Sequence, residues 1–205
     1  LVCLVGSEMC IRDRFNEVTN DVGIIDQRWL PSEFRIATLK TRDQFATAIR
    51  DMWVRGAPLI GATAAYGVAM EMAADSSDQA LDHVWHTLNE TRPTAINLRW
   101  ALDRCRGHLA PLAPDARPKA ALQLAHEIAE EDVETNRMLG VHGLALIRDI
   151  SARKPQGEPV RILTHCNAGW LATVDWGTAT SPIYHAAEAG ICLLYTSDAA
   201  DDTCC

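Results

Sequence analysis

The sequence predicts an α/β protein: an α+β N-terminal domain, mostly helical with a small antiparallel sheet, followed by the first β-α unit of a parallel-sheet domain. Three observations predict it. Two short β-type runs, at 22–26 and 33–39, flank the turn-forming Leu30-Pro31-Ser32. Apolar residues at helical spacing then dominate from Thr41 to about Ile150. Past the Pro- and Gly-rich stretch 154–159 the texture changes to a strand, a tight small-residue loop and helix-forming sequence.

The first two strands form a hairpin, and the second alternates Phe34, Ile36 and Thr38 on one face, as a half-buried strand does. Thr41-Arg42-Asp43-Gln44 has the form of a capping box, so a helix starts there. Phe45, Ile49, Met52 and Trp53 make its apolar stripe, and it ends near 54–56. Pro58 suits the first turn of the next helix, which runs to about Ala74. That helix is rich in Gly and Ala, and its small residues predict close backbone approach and burial. Further helices are expected at 79–90, 95–109 and 119–139, the last with an exposed acidic stretch, Glu130-Glu131-Asp132. Gly140 and Gly143 read as a bend before a short helix to Ile150. The strand 160–165 then opens the parallel-sheet domain, and helical stretches follow within 171–187.

Composition narrows the function classes. The chain has 205 residues, with 48% hydrophobic and 22% charged residues, ordinary for a globular protein. A net charge of −8 argues against nucleic-acid or anionic-membrane partners, which attract positive faces. No uncharged apolar run reaches transmembrane length. Cysteine is the unusual count, at seven. Cys3, Cys10, Cys192, Cys204 and Cys205 lie at the ends, and only Cys105 and Cys166 lie between. The end strings CLVGSEMCIRDR and CLLYTSDAADD resemble translated sequencing-adapter DNA. Residues 1–14 and 192–205 are therefore expected to be artefactual. The expected domains are 15–157 and 158–191, the second truncated just after it begins.

Three places could carry chemistry. Arg55-Gly56-Ala57, directly before a helix start, suits an anion: glycine admits backbone N–H groups, the helix dipole favours negative charge, and arginine adds a fork. The same residues also suit an ordinary helix–helix turn. Arg92 sits in a second loop ahead of a helix, where Thr91 or Thr94 could serve as cap. Cys166 follows a strand, where ligands bind in open α/β sheets and where a following helix can activate a thiol. A small buried thiol is the alternative. Zinc is disfavoured, since adjacent His165 and Cys166 point to opposite faces.

Together and in order, these places are more specific than any one of them. The sequence resembles the N-terminal half of the methylthioribose-1-phosphate isomerase family through VGIIDQ (22–27), IRDMWVRGAPLIGATAAYG (49–67), RPTAINLRWA (92–101), EDVETNRMLGVHG (131–143) and ILTHCNAGWLATVDWGTATSPI (162–183). The resemblance covers 15–191. It implies an enzyme of methionine salvage that converts a 5-methylthio-aldose 1-phosphate into the ketose 1-phosphate. It implies a Rossmann-like second domain, a cytoplasmic homodimer, and no metal or organic cofactor. Carried over by motif, Arg55, Gly56, Ala57 and Arg92 bind the sugar phosphate, and Cys166 is catalytic. The family's acid/base aspartate lies further along the second domain, and Asp175 is not its counterpart. The chain is thus expected to be an isomerase fragment, inactive alone and poorly soluble because a lone strand exposes its edges. Ribose-1,5-bisphosphate isomerase and a non-catalytic regulatory subunit of a translation-initiation exchange factor are the alternatives within the same superfamily.

Overall fold

A computed structural model describes residues 15–16, 18–191 and 193–197. They form a mostly helical protein with a small three-stranded antiparallel sheet. Strand β1 (Phe15–Asn16) pairs with β2 (Asp21–Ile25), which pairs with β3 (Ile36–Leu39) in the register Val22↔Leu39 to Ile25↔Ile36. The hairpin is as expected, but its buried face is not. Leu39 is fully buried, whereas Phe34 and Ile36 are 51% and 56% exposed. Alternation defines two faces, and packing of Val22, Ile24 and Leu39 against the helices decides which turns inward.

Helix α1 (Arg42–Arg50) begins with the expected capping box. Thr41 Oγ1 accepts from the Gln44 N–H, and Gln44 Oε1 accepts from the Thr41 N–H. It stops at Arg50, short of the apolar stripe's end. Met52 adopts φ 57°, and the Trp53 N–H reaches back to the Ala48 carbonyl at 2.9 Å, a Schellman-type closure. Helix α2 (Ala57–Ala74) follows, buried on nearly all sides. A Cβ on its Gly61 would lie 3.1 Å from the Asn97 carbonyl, and one on Gly67 3.1 Å from Phe45. Its small residues therefore let neighbouring elements approach closely, and that packing offsets their poor helix propensity, about 1 kcal/mol per glycine.

Around α2 lie α3 (Asp78–Asn89) and α4 (Ile96–Leu109). Leu81, Val84 and Leu88 of α3 and Leu98, Leu102 and Leu109 of α4 are buried. Arg117, the first residue of α5 (Arg117–Ala152), is buried as well. Its guanidinium donates to the carbonyls of Leu109 (3.1 Å), Leu112 (3.2 Å) and Ser76 (2.9 Å) and to Asp78 (2.5 Å). It thereby supplies a second donor to the Leu109 carbonyl, at the end of α4, and ties that end to the loops around it.

Helix α5 is continuous through Gly140 and Gly143, where the sequence suggested a bend. A Cβ at Gly140 would overlap Ser181 and His185, and one at Gly143 would overlap Pro182. Both glycines serve the close approach of α6 (Ser181–Glu188) rather than a change of direction. Asp132, expected in an exposed acidic run, is instead half-buried and hydrogen-bonded. As expected, the stretch 171–187 contains helical pieces, the end of a 3-10 turn at Trp170–Ala172 and most of α6, with a loop between them.

Two compact units divide between Glu131 and Asp132, inside α5. In the second unit Ile147, Val160 and Ala186 form a small core, with Leu144, Ile162 and Ile191 packed on it. Strand β4 (Val160–Thr164) pairs in parallel with β5 (Leu193–Ser197), Val160 opposite Leu193. The expectation of a lone strand is thus corrected: the run Leu-Leu-Tyr-Thr-Ser, set aside with the tail, has β-forming composition and occupies one edge of β4.

Candidate functional site

In the first unit, two helix starts carry the arginines. Gly56 is the N-cap of α2 and has φ 98° and ψ 132°, a conformation open essentially to glycine alone. Ala57 is the first helical residue and is exposed, and Pro58 is the second. Among the described residues no side chain caps this helix. Helix α4 also starts without a side-chain cap, with Ala95 at that position. Neither Thr91 nor Thr94 fills the role. The Thr91 hydroxyl instead donates back to the Leu88 carbonyl at 2.6 Å, as its own chain reverses there. By contrast, α1 and α3 are capped by Thr41 and Ser77.

The two uncapped starts are neighbours. Gly61, in the second turn of α2, abuts Asn97 and Ala101, in the opening turns of α4. Arg55 and Arg92 each stand just ahead of one of these helices, and both are half-buried. The Arg55 Nε is buried with no hydrogen-bond partner among the described residues, and so is the Trp53 Nε1 two residues earlier. A buried donor without an acceptor costs about 1–3 kcal/mol, so its retention needs a reason. An anion at the helix starts would supply one, because an oxyanion accepts from guanidinium and backbone N–H groups together. Sequence spacing located Arg55 but gave no sign of Trp53, whose indole reads as core.

Around this site the framework is held by an acidic anchor. The Asp26 carboxylate accepts from Arg28 Nε (2.9 Å) and Nη2 (2.7 Å), from the Arg28 N–H (3.2 Å) and from Trp29 Nε1 (3.2 Å). The Arg28 side chain holds its pKa below the ordinary value, and burial opposes this. The Arg28 guanidinium also stacks 4.4 Å from the Trp53 ring centre.

In the second unit, Cys166 lies two residues past the end of β4 and is exposed, with φ 68°. A left-handed conformation is uncommon for a non-glycine residue and marks a backbone held by its surroundings. A 3-10 turn at Trp170–Ala172 follows it, and the α-helix α6 begins at Ser181. Cys105 has the opposite environment: it is buried in α4, and burial pushes its thiol up to about 12. Among the described residues no group of three or more His, Cys, Asp or Glu side chains could hold a metal ion, and no helix is long and apolar enough to cross a membrane.

Residues 53–195 match the family model described as "Initiation factor 2 subunit family". The chain belongs to that family. Among curated proteins it is 67% identical over 176 residues to methylthioribose-1-phosphate isomerase of Sinorhizobium medicae, covering 86% of this chain and 48% of that protein. Identity to the enzyme of that name from Escherichia coli is 57% over 170 residues, covering 83% and 46%. Among solved structures, 5-methylthioribose 1-phosphate isomerase from Pyrococcus horikoshii aligns with a TM-score of 0.73 at 37% identity, covering 85% of this chain and 49% of that one. Translation initiation factor eIF-2B subunit delta from A. fulgidus aligns with a TM-score of 0.73 at 35% identity, covering 86% and 51%. The chain therefore spans about half the length of the relatives it matches.

Proposed function

We propose that the full-length protein bearing this chain is an aldose–ketose isomerase that converts 5-methylthioribose 1-phosphate to 5-methylthioribulose 1-phosphate, a cytoplasmic enzyme of methionine salvage. The observation that carries this reading is the pair of adjacent, uncapped helix starts led by Arg55 and Arg92, with a buried Arg55 Nε lacking an acceptor. A phosphate monoester would satisfy that donor. Identity of 67% to an isomerase of that name supports the choice of sugar phosphate. In this reading Arg55, Gly56, Ala57 and Arg92 bind substrate and Cys166 acts at the reacting carbons. Residues 15–157 form the N-terminal domain, and residues 158–191 open a Rossmann-like one. The succession of strand β4 and helix α6 supports that assignment.

The reaction moves hydrogen from C2 to C1 of the sugar with no net oxidation. The phosphate on C1 blocks simple ring opening to a free aldehyde. Enclosure from water and acid/base groups of shifted pKa serve either route, an enediolate-type proton transfer or a hydride shift. The resemblance implies an acid/base aspartate further along the second domain, and the isomerase reading is made of the full-length protein. A homodimer suits the apolar row of Leu139, Leu146 and Ile150, exposed on α5.

The equal structural likeness to eIF-2B subunit delta favours one second reading, a non-catalytic assembly subunit. Retention of Cys166 together with both arginine motifs in one sequence supports the enzyme. The test is turnover of 5-methylthioribose 1-phosphate by the full-length protein, with Cys166→Ser expected to lower kcat at least about a hundredfold while substrate binding changes little. No turnover of this substrate or of ribose 1,5-bisphosphate, together with stable binding to a protein partner, would favour the assembly reading. Near-normal turnover by Cys166→Ser would remove the cysteine from the chemistry.

A further inference from the structure

One face of α5 carries Asp132, Asn136, Gly140 and Gly143, spaced by four, four and three residues and so aligned along the helix. Each meets the segment that follows Cys166. Asp132 Oδ2 accepts from the Val174 N–H at 2.7 Å. The Asn136 carbonyl accepts from the buried Ser181 hydroxyl at 2.7 Å. Gly140 admits Ser181 and His185, and Gly143 admits Pro182, at approaches no side chain would allow. Within the row, the Asn136 amide donates to the Asp132 carbonyl at 2.9 Å.

The docked segment is in turn locked to the residues beside Cys166. The Thr180 hydroxyl lies 3.2 Å from the Ala168 carbonyl and 3.0 Å from that of Trp176. Thr173 Oγ1 accepts from the Gly177 N–H at 3.0 Å and donates to the Asp175 carbonyl at 2.8 Å. Gly177, at φ 73°, sits so close that a Cβ would lie 2.6–2.7 Å from the backbone of Gly169 and Ala168. An unbroken path of contacts therefore runs from α5 to the second and third residues after the cysteine, whose own backbone is left-handed.

We propose that this row is a rail that fixes the Cys166 loop, and that Asp132 is its positioning residue. The proposal rests on the isomerase reading for the role of Cys166. A surface carboxylate would cost nothing to keep, but this one is half-buried. Burial raises its pKa, with Asp175 adding in the same direction, while its hydrogen bonds from Val174 and Asn136 oppose the rise. Val174 is itself buried, so without Asp132 its N–H loses its acceptor.

The experiment uses the full-length protein and two readouts. One is kcat and KM for 5-methylthioribose 1-phosphate. The other is the rate at which iodoacetamide alkylates Cys166, followed by mass spectrometry of its peptide. Asp132→Ala should lower kcat about tenfold or more, with KM within about threefold, since the phosphate ligands lie elsewhere. Its Cys166 alkylation rate should change by about threefold or more. Asp132→Asn keeps an acceptor for Val174 and should restore both to within about threefold of wild type. Wild-type rates in Asp132→Ala overturn the proposal, and so does equal damage in Asp132→Asn, which would point to ionisation instead of position. If Asp132→Ala fails to fold, Ser181→Ala, which removes one hydroxyl from the rail, must show the same split at about threefold or more; wild-type behaviour there overturns the proposal too. Absence of turnover in the wild type refutes the isomerase reading alone, and the alkylation rates then decide the positioning role.

Discussion

Replacing Gly56 by alanine should destabilise the protein, and replacing Gly107 by alanine should stabilise it. The substitution is the same, and the backbone sets the sign. Gly56 stands at φ 98° and ψ 132° at the start of α2. An L-residue held there carries about 1–3 kcal/mol of strain. Against that, alanine narrows the unfolded ensemble by about 0.4–1 kcal/mol. The net loss is about 1–2 kcal/mol. Gly107 lies exposed in the last turn of α4, and a Cβ there would meet nothing within 4 Å. Alanine gains about 0.5–1 kcal/mol at such a position. The two variants should therefore differ by about 1.5–3 kcal/mol, or roughly one molar in urea midpoint at a typical slope. On the proposed isomerase reading, Gly56→Ala should also raise the full-length protein's KM for 5-methylthioribose 1-phosphate, because relieving the strain moves the first N–H groups of α2. Equilibrium urea unfolding, followed by circular dichroism, reads the stability difference. A Gly56→Ala midpoint equal to or above that of Gly107→Ala would refute the link between this backbone and the helix start.

Arg117→Met removes the donor to the carbonyls of Leu109, Leu112 and Ser76 and should cost about 3 kcal/mol, at about 1 kcal/mol each. A urea midpoint unchanged from wild type would mean that water replaces the guanidinium there. Asp26→Asn should cost about 1–2 kcal/mol at neutral pH through weaker bonds to Arg28. Because the Asp26 carboxyl titrates below its ordinary value of 3.8 when folded, its contribution is present above that value and lost as pH falls through the lowered one. The gap between wild type and Asp26→Asn should accordingly shrink in acid unfolding series below that value. A gap that stays constant down to the lowest pH at which both variants fold would count against the assignment.

Local chemistry was the readable part of this sequence. The Thr41 capping box involves residues three apart and survives intact, and the small-residue helix α2 is buried as its composition implied. The motifs at Arg55, Arg92 and Cys166 could be placed at helix starts and a strand end for the same reason. What sequence could not supply was the far partner. Alternation in β3 defined two faces, and only the core showed that Leu39 rather than Ile36 turns inward. Arg117 reads as a solvated charge until its carbonyl partners at Leu109, Leu112 and Ser76 are seen. Asp132 sat in an acidic run, and nothing within that run indicates that Val174 meets it. The orphaned Nε of Arg55 is likewise a property of packing, invisible in the order of residues.

The glycines of α5 have a consequence for the order in which the chain folds. Two glycines three residues apart weaken a free helix by about 1 kcal/mol each, so the segment around residue 140 has little reason to be helical alone. Its helicity is secured by Ser181, Pro182 and His185, the side chains that fill the space the glycines leave. The C-terminal part of α5 should therefore become structured together with the docking of α6, late and cooperatively. Mutations there would speed unfolding while leaving the folding rate almost unchanged.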